Sequence, residues 1–281
     1  MTRKKRLSAI SQNIFKILIL IVFMSPFYVA LNYALKTKQE IAQTGLAWPE
    51  AFHFENFTEA IRQTYVAGMP FFKVLMNTVV ATVVGTIVIV FISAMAAYSI
   101  ARRKGKIYSL CYTLMVVTLL VPIQAYMFPL YDELRAMGLL NTTLGFIFAK
   151  VGAQVGYSVI ITTGFVKNIS VEIEEAALID GASILKMFVK IVMPLLKPIF
   201  MTSIVINALS IWNDFGLAFI ILTKPANYVL PLLQFTFITS NTSMLNLAFA
   251  LFLLTMLPIL ILYLFLQKYI VSGIMLGSVK G

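Results

Sequence analysis

Two sets of residues in this chain can do more than fill hydrocarbon. The first is Glu174-Glu175-Ala176-Ala177-Leu178-Ile179-Asp180-Gly181-Ala182, followed by Ile191, Pro194 and Pro198. Ser170 can cap a helix here, and Glu172, Glu174 and Glu175 fall in its first turns, where the helix dipole favours negative charge. Gly181 can take the sharp turn that ends such a helix. Ile184, Phe188 and Ile191 then recur at i, i+4 and i+7, an apolar stripe on a second helix. Acids, small alanines and a tight turn make a rigid knob, suited to a socket on a partner rather than to breaking bonds.

The second set lies within apolar segments: Gln124 and Tyr126 beside Pro122, then Lys150, Gln154 with Tyr157, and Asn207, Ser210, Trp212, Asn213 and Asp214. These supply the donors, acceptors and aromatic faces that a passing polyol needs. Asn207, Ser210 and Asp214 share one helix face. An ionised Asp at mid-bilayer costs about 2.5–3.5 kcal/mol on insertion scales, so Asp214 should face protein or a water-filled cavity. The plainer role for that face is glue, because interhelical hydrogen bonds hold bundles together at about 0.6 kcal/mol each. Lys150 can equally snorkel toward the outer surface, and Gly152-x-x-x-Gly156 reads as a close-packing pattern.

Several chemistries are excluded. No Gly-x-x-x-x-Gly-Lys-Ser/Thr phosphate loop occurs, so the chain does not hydrolyse ATP by that route. His53 is the sole histidine and Cys111 the sole cysteine, which leaves no zinc helix, no metal site, no Ser-His-Asp set and no disulfide framework. No catalytic residue and no bound cofactor is expected.

The elements that must position these residues are membrane helices. Of 281 residues, 60% are hydrophobic and 12% charged, against about 25% charged in an ordinary soluble domain. Runs long enough to cross about 30 Å of hydrocarbon recur along the whole length. Six are expected: Ile14–Leu35, Phe72–Ala101, Ile107–Tyr131, Thr143–Val166, Ile199–Leu222 and Ser243–Gln267. The fold class is therefore all-α, a six-helix membrane protein. Pro122, Pro129 and Pro258 should kink or break their helices, which transporters tolerate where backbone lines a cavity. The first run is too long for a signal peptide and has no small-residue cleavage pattern after it.

The net charge of +11 reflects topology rather than nucleic-acid binding. Basic clusters at Arg3–Arg6, Arg102–Lys106, Lys167–Lys197 and Lys268–Lys280 all fall on one side, which places both termini and the loop 167–198 in the cytoplasm. The chain then divides into a basic N-terminus (1–13), a six-helix transmembrane domain (14–267) and a C-terminal tail (268–281). Residues 36–70 form the largest external segment, with a short helix over Phe57–Tyr65. Asp132–Asn141 and Thr223–Thr242 are shorter external connections. A thirty-residue inside loop at 167–198 is long for a connection with no task.

Glu175-Ala176-Ala177, Gly181, Ile191 and Pro194, with Met193 in a Leu place, resemble the EAA loop of permease subunits of ATP-binding cassette importers. Asn77-Thr78, Pro129-Leu130-Tyr131, Trp212-Asn213-Asp214-Phe215 and the ending Gln267 to Gly281 look like the carbohydrate-uptake, MalG-like branch of that family. The resemblance implies that Glu175, Ala176, Ala177, Asp180, Gly181, Ile191 and Pro194 couple to the ATPase, and that Ser278, Lys280 and Gly281 contact it. It also implies a second homologous permease, two cytosolic ATPases that carry ATP and magnesium, and an external substrate-binding protein. The setting is a bacterial or archaeal cytoplasmic membrane. A permease for another solute is the alternative. A secondary transporter stands behind it, with Asp214 and Lys150 as a proton site, and a lipid-modifying enzyme comes third.

Overall fold

The computed structural model describes residues 3–240 and 244–278. In hydrocarbon every backbone N–H and C=O must find a partner inside its own segment, and the apolar runs accordingly form helices. In chain order these are α1 (Arg3–Ala34), α2 (Lys38–Thr44), α3 (Glu55–Val66), α4 (Phe71–Arg102), α5 (Lys106–Thr118), α6 (Ile123–Ala136), α7 (Thr143–Asn168), α8 (Val171–Ile179) and α9 (Ile184–Met187). A π-turn over Phe188–Val192 follows, then α10 (Met193–Leu195), α11 (Lys197–Trp212), α12 (Gly216–Ile221), α13 (Leu230–Ser240) and α14 (Leu245–Ser278).

Among the described residues, four helices are long and apolar enough to span a bilayer: Gln12–Ala34, Phe71–Arg102, Thr143–Asn168 and Leu245–Gln267. The count reaches six when each of two bent pairs is taken as one span. The third expected span is not continuous, since α5 and α6 meet at 106°. Pro122, at φ −65° and ψ 142°, has no N–H to give and ends the chain's helical path, so α6 starts afresh behind it. Pro129 and Pro258, by contrast, sit inside helices that continue past them. The fifth span stops at Trp212 rather than running to Leu222. Residues Thr223–Thr242, expected as a plain connection, contain α13, whose Leu230, Leu232, Leu233 and Phe237 are buried.

The chain forms two compact units. One comprises Met1–Ala67 with Gln234–Leu257. Here Lys36 is fully buried, with no acidic partner among the described residues. Its ammonium donates to Thr44 Oγ1 at 2.9 Å, Gly45 O at 2.9 Å and Ala47 O at 2.5 Å, carbonyls at the negative end of α2. Asn56 of α3 donates to Ala34 O and Lys36 O, both at 2.9 Å, which ties the expected surface helix to the end of α1. His53 Nδ1 lies 2.5 Å from Glu55 Oε1, and this hydrogen bond holds the Glu55 carboxyl below the usual carboxylate range.

The other unit, Gly68–Leu233 with Pro258–Gly281, holds the candidate site. α4 buries a stripe of small residues, including Ala81, Thr82, Gly85, Thr86, Ser93, Ala94 and Ala97, against α7 and α11. Small side chains let backbones close up where no hydrophobic effect drives helices together. Asn77 Nδ2 donates to Ala226 O and Tyr228 O at 3.1 Å, and Thr78 Oγ1 accepts from Leu230 N at 2.9 Å. That pair therefore seats the turn before α13.

Gly156 and Gly152 of α7 differ in surroundings. A Cβ on Gly156 would fall on Thr118 Oγ1 of α5 and 3.3 Å from Met115 O, whereas one on Gly152 meets nothing within 4 Å. Gly156→Ala should thus destabilise by about 1–3 kcal/mol, while Gly152→Ala should stabilise by up to about 1 kcal/mol through helix propensity. Thermal unfolding in detergent checks this, and equal midpoints for the two variants would contradict the close approach of α5 to α7.

Candidate functional site

A polar cavity of about 390 Å³ opens where the α5–α6 span breaks and where α11 ends before α12. Thr118, Leu119, Val121, Ile123 and Tyr126 line it from the α5–α6 break, Lys150, Ala153, Gln154 and Tyr157 from α7, and Ser210 and Asp214 from the end of α11. Asp214 is fixed by the break itself. With α11 ended, its Oδ1 accepts from Leu217 N at 2.9 Å and Ala218 N at 3.3 Å, capping α12. Its other oxygen takes Lys150 Nζ at 2.7 Å.

Lys150 is 2% exposed and does not snorkel. Its remaining protons go to Ser210 O at 3.2 Å and Ser210 Oγ at 3.3 Å, and Gln154 Nε2 donates to the same hydroxyl at 2.6 Å. Lysine and aspartate face each other as an ion pair, and the wall around them offers hydroxyl, amide and phenol groups. Such a surface can exchange hydrogen bonds with a neutral polar solute.

The structure separates the expected path residues. Tyr126, Lys150, Gln154 and Asp214 come together at the cavity, with Tyr157 and Ser210. Gln124 is exposed at the start of α6, and Asn213 is exposed with its amide bonded to Leu209 O at 3.0 Å. Trp212 is buried. Asn207 is fully buried, donating to Ser158 Oγ at 2.9 Å and to Ser203 O at 2.8 Å, so it holds α7 and α11 together. Asn141, which no sequence signal singles out, holds a positive φ of 60°, uncommon at a non-glycine residue. Its Oδ1 accepts from Thr223 N at 3.1 Å and Lys224 N at 2.9 Å, clamping the start of α7 to the end of α12.

The loop 167–198 is the second feature. Ser170 caps α8, accepting from Glu172 N at 3.2 Å, and Gly181 turns the chain at φ +84°. Glu175, Ala176 and Asp180 are exposed on α8, while Ala177 is buried. Of the expected apolar stripe only Phe188 is buried; the π-turn over Phe188–Val192 widens the helix and takes Ile191 out of line with it. The buried face is Met187, Phe188, Val192 and Leu196, with Ile184 65% exposed and Ile191 half-buried. Pro194 is exposed beside the 73° bend between the loop and α11.

Glu174, not Glu175, is the buried acid, at 5% exposure. Arg102 reaches it at 2.7 Å, Tyr98 Oη donates to its Oε2 at 2.8 Å, and Arg102 also donates to Ile169 O at 2.8 Å. Lys280 and Gly281 lie outside the described residues, as does the side chain of Ser278.

Residues 89–275 match the family of binding-protein-dependent transport system inner membrane components. The chain is 34% identical over 257 residues to the melibiose/raffinose/stachyose import permease protein MelC of Bacillus subtilis (strain 168), covering 91% of each. It is 32% identical over 264 residues, 94% of each, to the probable starch degradation products transport system permease protein AmyC of Thermoanaerobacterium thermosulfurigenes. A chain of the crystal structure of a bacterial ABC transporter involved in the import of the acidic polysaccharide alginate has the same fold. It superposes with a TM-score of 0.81 over 96% of this chain and 98% of that one, at 21% identity.

Asp214→Ala should remove the α12 cap and leave Lys150 buried without its counter-charge, a loss of about 3–5 kcal/mol. The double variant K150M/D214N keeps an amide cap and no charge, and should be the more stable of the two in thermal unfolding. The reverse order would show that the ion pair does not hold the α11–α12 break.

Proposed function

Because this chain belongs to the family of binding-protein-dependent transport system inner membrane components, we propose that it is one permease subunit of an ATP-driven sugar importer, with an oligosaccharide as solute. It forms half of the translocation path, with a second homologous permease across a pseudo-two-fold. Two cytosolic ATPases, which carry ATP and magnesium, and an external binding protein complete the assembly. The relatives named for import of raffinose-type sugars and of starch products support the solute class. The chain's lack of a phosphate loop supports placing the energy source on a partner.

The observation that carries the reading is the tip of the loop 167–198. Ile179 is 86% and Leu185 72% exposed, with Leu178 and Ile184 beside them and Glu172, Glu175 and Asp180 around them. Apolar side chains exposed at the tip of a loop and rimmed by charge mark a protein contact. The clustering of basic residues on one side supports a cytosolic position for this loop and for both termini. ATPase closure then pulls the knob, and the helices it holds rock so that the cavity beside Lys150 and Asp214 opens alternately to the two faces. Tyr126, Gln154, Tyr157 and Ser210 exchange hydrogen bonds with the sugar as it passes.

The test is reconstitution of the complex in vesicles with uptake of di- to tetrasaccharides. Glu175→Lys reverses an exposed charge at the tip, and Gly181→Pro demands φ near −65° where the chain needs +84°. Both should insert normally yet lower uptake about tenfold or more, within the range of a coupling free energy of 1–3 kcal/mol. Uptake retained by both variants removes the coupling role. Topology is checked separately with cysteines placed at Glu55 and Ser183 in a Cys111→Ser background. An impermeant thiol reagent on intact cells should label only the first, and labelling at Ser183 would overturn the orientation.

A further inference from the structure

α8 has almost no apolar footing. Only Glu174 and Ala177 of its nine residues are buried, whereas the segment after Gly181 is anchored through Met187, Phe188, Val192 and Leu196. Phe188 packs on Tyr98 of α4, ring centroids 5.0 Å apart. What orients α8 must therefore be polar. Both oxygens of Glu174 are engaged, one by Arg102 and the other by Tyr98, and the second arm of the Arg102 guanidinium holds Ile169 O at the end of α7. One arginine in the last turn of α4 thus joins the ends of α4 and α7 to α8.

We propose that Arg102 and Glu174, assisted by Tyr98, are the positioning residues that carry movement of the loop tip into α4 and along it to the cavity wall. The statement rests on the reading of this chain as an ATP-coupled permease. α4 is an unbroken helix from Phe71 to Arg102, so it moves as a rod. About 26 Å separates Arg102 from Gly85 at 1.5 Å per residue. At Gly85 the rod meets α11, and a Cβ there would stand only 2.8 Å from Ile211 Cδ1, the residue after Ser210. Ile211 is 1% exposed and α4 packs along α11, so displacement of α4 is passed to the helix end that bears Ser210 and Asp214. Glu175 faces outward for a partner, and Glu174 faces inward for this link.

The experiment compares sugar moved per ATP hydrolysed in the reconstituted complex for wild type, Arg102→Met, Glu174→Gln, Tyr98→Phe and the exchanged pair R102E/E174R. Arg102→Met and Glu174→Gln should still hydrolyse ATP but move about fivefold less sugar per ATP, or lower. The exchanged pair should recover part of that ratio, and Tyr98→Phe, which keeps the ion pair, should lose less than Glu174→Gln. A merely structural contact would change yield and leave the ratio alone. Wild-type ratios in the single variants overturn the proposal, as does an exchanged pair no better than they are. Should Arg102→Met and Glu174→Gln fail to assemble, Tyr98→Phe decides, and an unchanged ratio there overturns it. A wild-type complex that binds no ATPase or moves no sugar instead overturns the importer reading, and this proposal falls with it.

Discussion

The ion pair between Lys150 and Asp214 sits where the fold departs from the rule that governs it. A helix broken inside hydrocarbon leaves amides and carbonyls without water, so each break must be satisfied by protein. At the end of α11 this falls to Asp214, which accepts the amides of Leu217 and Ala218, and its charge is met by Lys150. The first break, at Leu119–Pro122, closes its amides through i to i−3 bonds, Leu119 N to Val116 O at 3.1 Å and Leu120 N to Val117 O at 3.0 Å. The polar cavity lies between these two repaired breaks, because that is where polar side chains are already present and tolerated.

A cavity built this way is held from outside itself. Asn207 pins α7 to α11 below it, and Asn141 pins α7 to the strand of chain after α12 above it. Gly85 leaves room on α4 for the Ile211 side chain of α11, and Gly156 leaves room on α7 for Thr118 of α5. The wall is consequently stiff, and the proposed solute path would open by movement of whole helices rather than of side chains. The loop 167–198 is attached to the same helices by two different means: an apolar face through Phe188 and Val192, and the ionic contact of Glu174 with Arg102. The first resists separation. The second, with its directional hydrogen bonds, fixes angle as well as distance.

Much of this was legible in the residues. Apolar runs dictated helices, and the Ser170 cap and Gly181 turn dictated the knob, because those are local effects of hydrogen bonding and backbone freedom. The pairing of a face through Ser210 and Asp214 with Lys150 was within reach of the sequence only as two buried polar groups in want of partners. Three things were not legible. The 3.6-residue period that selected Ile184 and Ile191 does not survive the π-turn over Phe188–Val192, whose Phe188 and Val192 pack against α4 and α7. A twenty-residue connection concealed α13, since Leu230–Ser240 is too short to announce itself as a span. The choice between two adjacent acids, Glu174 buried and Glu175 exposed, turns on one hundred degrees of helix rotation. The sequence by itself determined the class, the helices and the position of the knob, since hydropathy and capping act within a few residues. Only the tertiary structure decided which polar groups meet, since Arg102 and Glu174, or Lys150 and Asp214, are brought together by packing between helices that are distant along the chain.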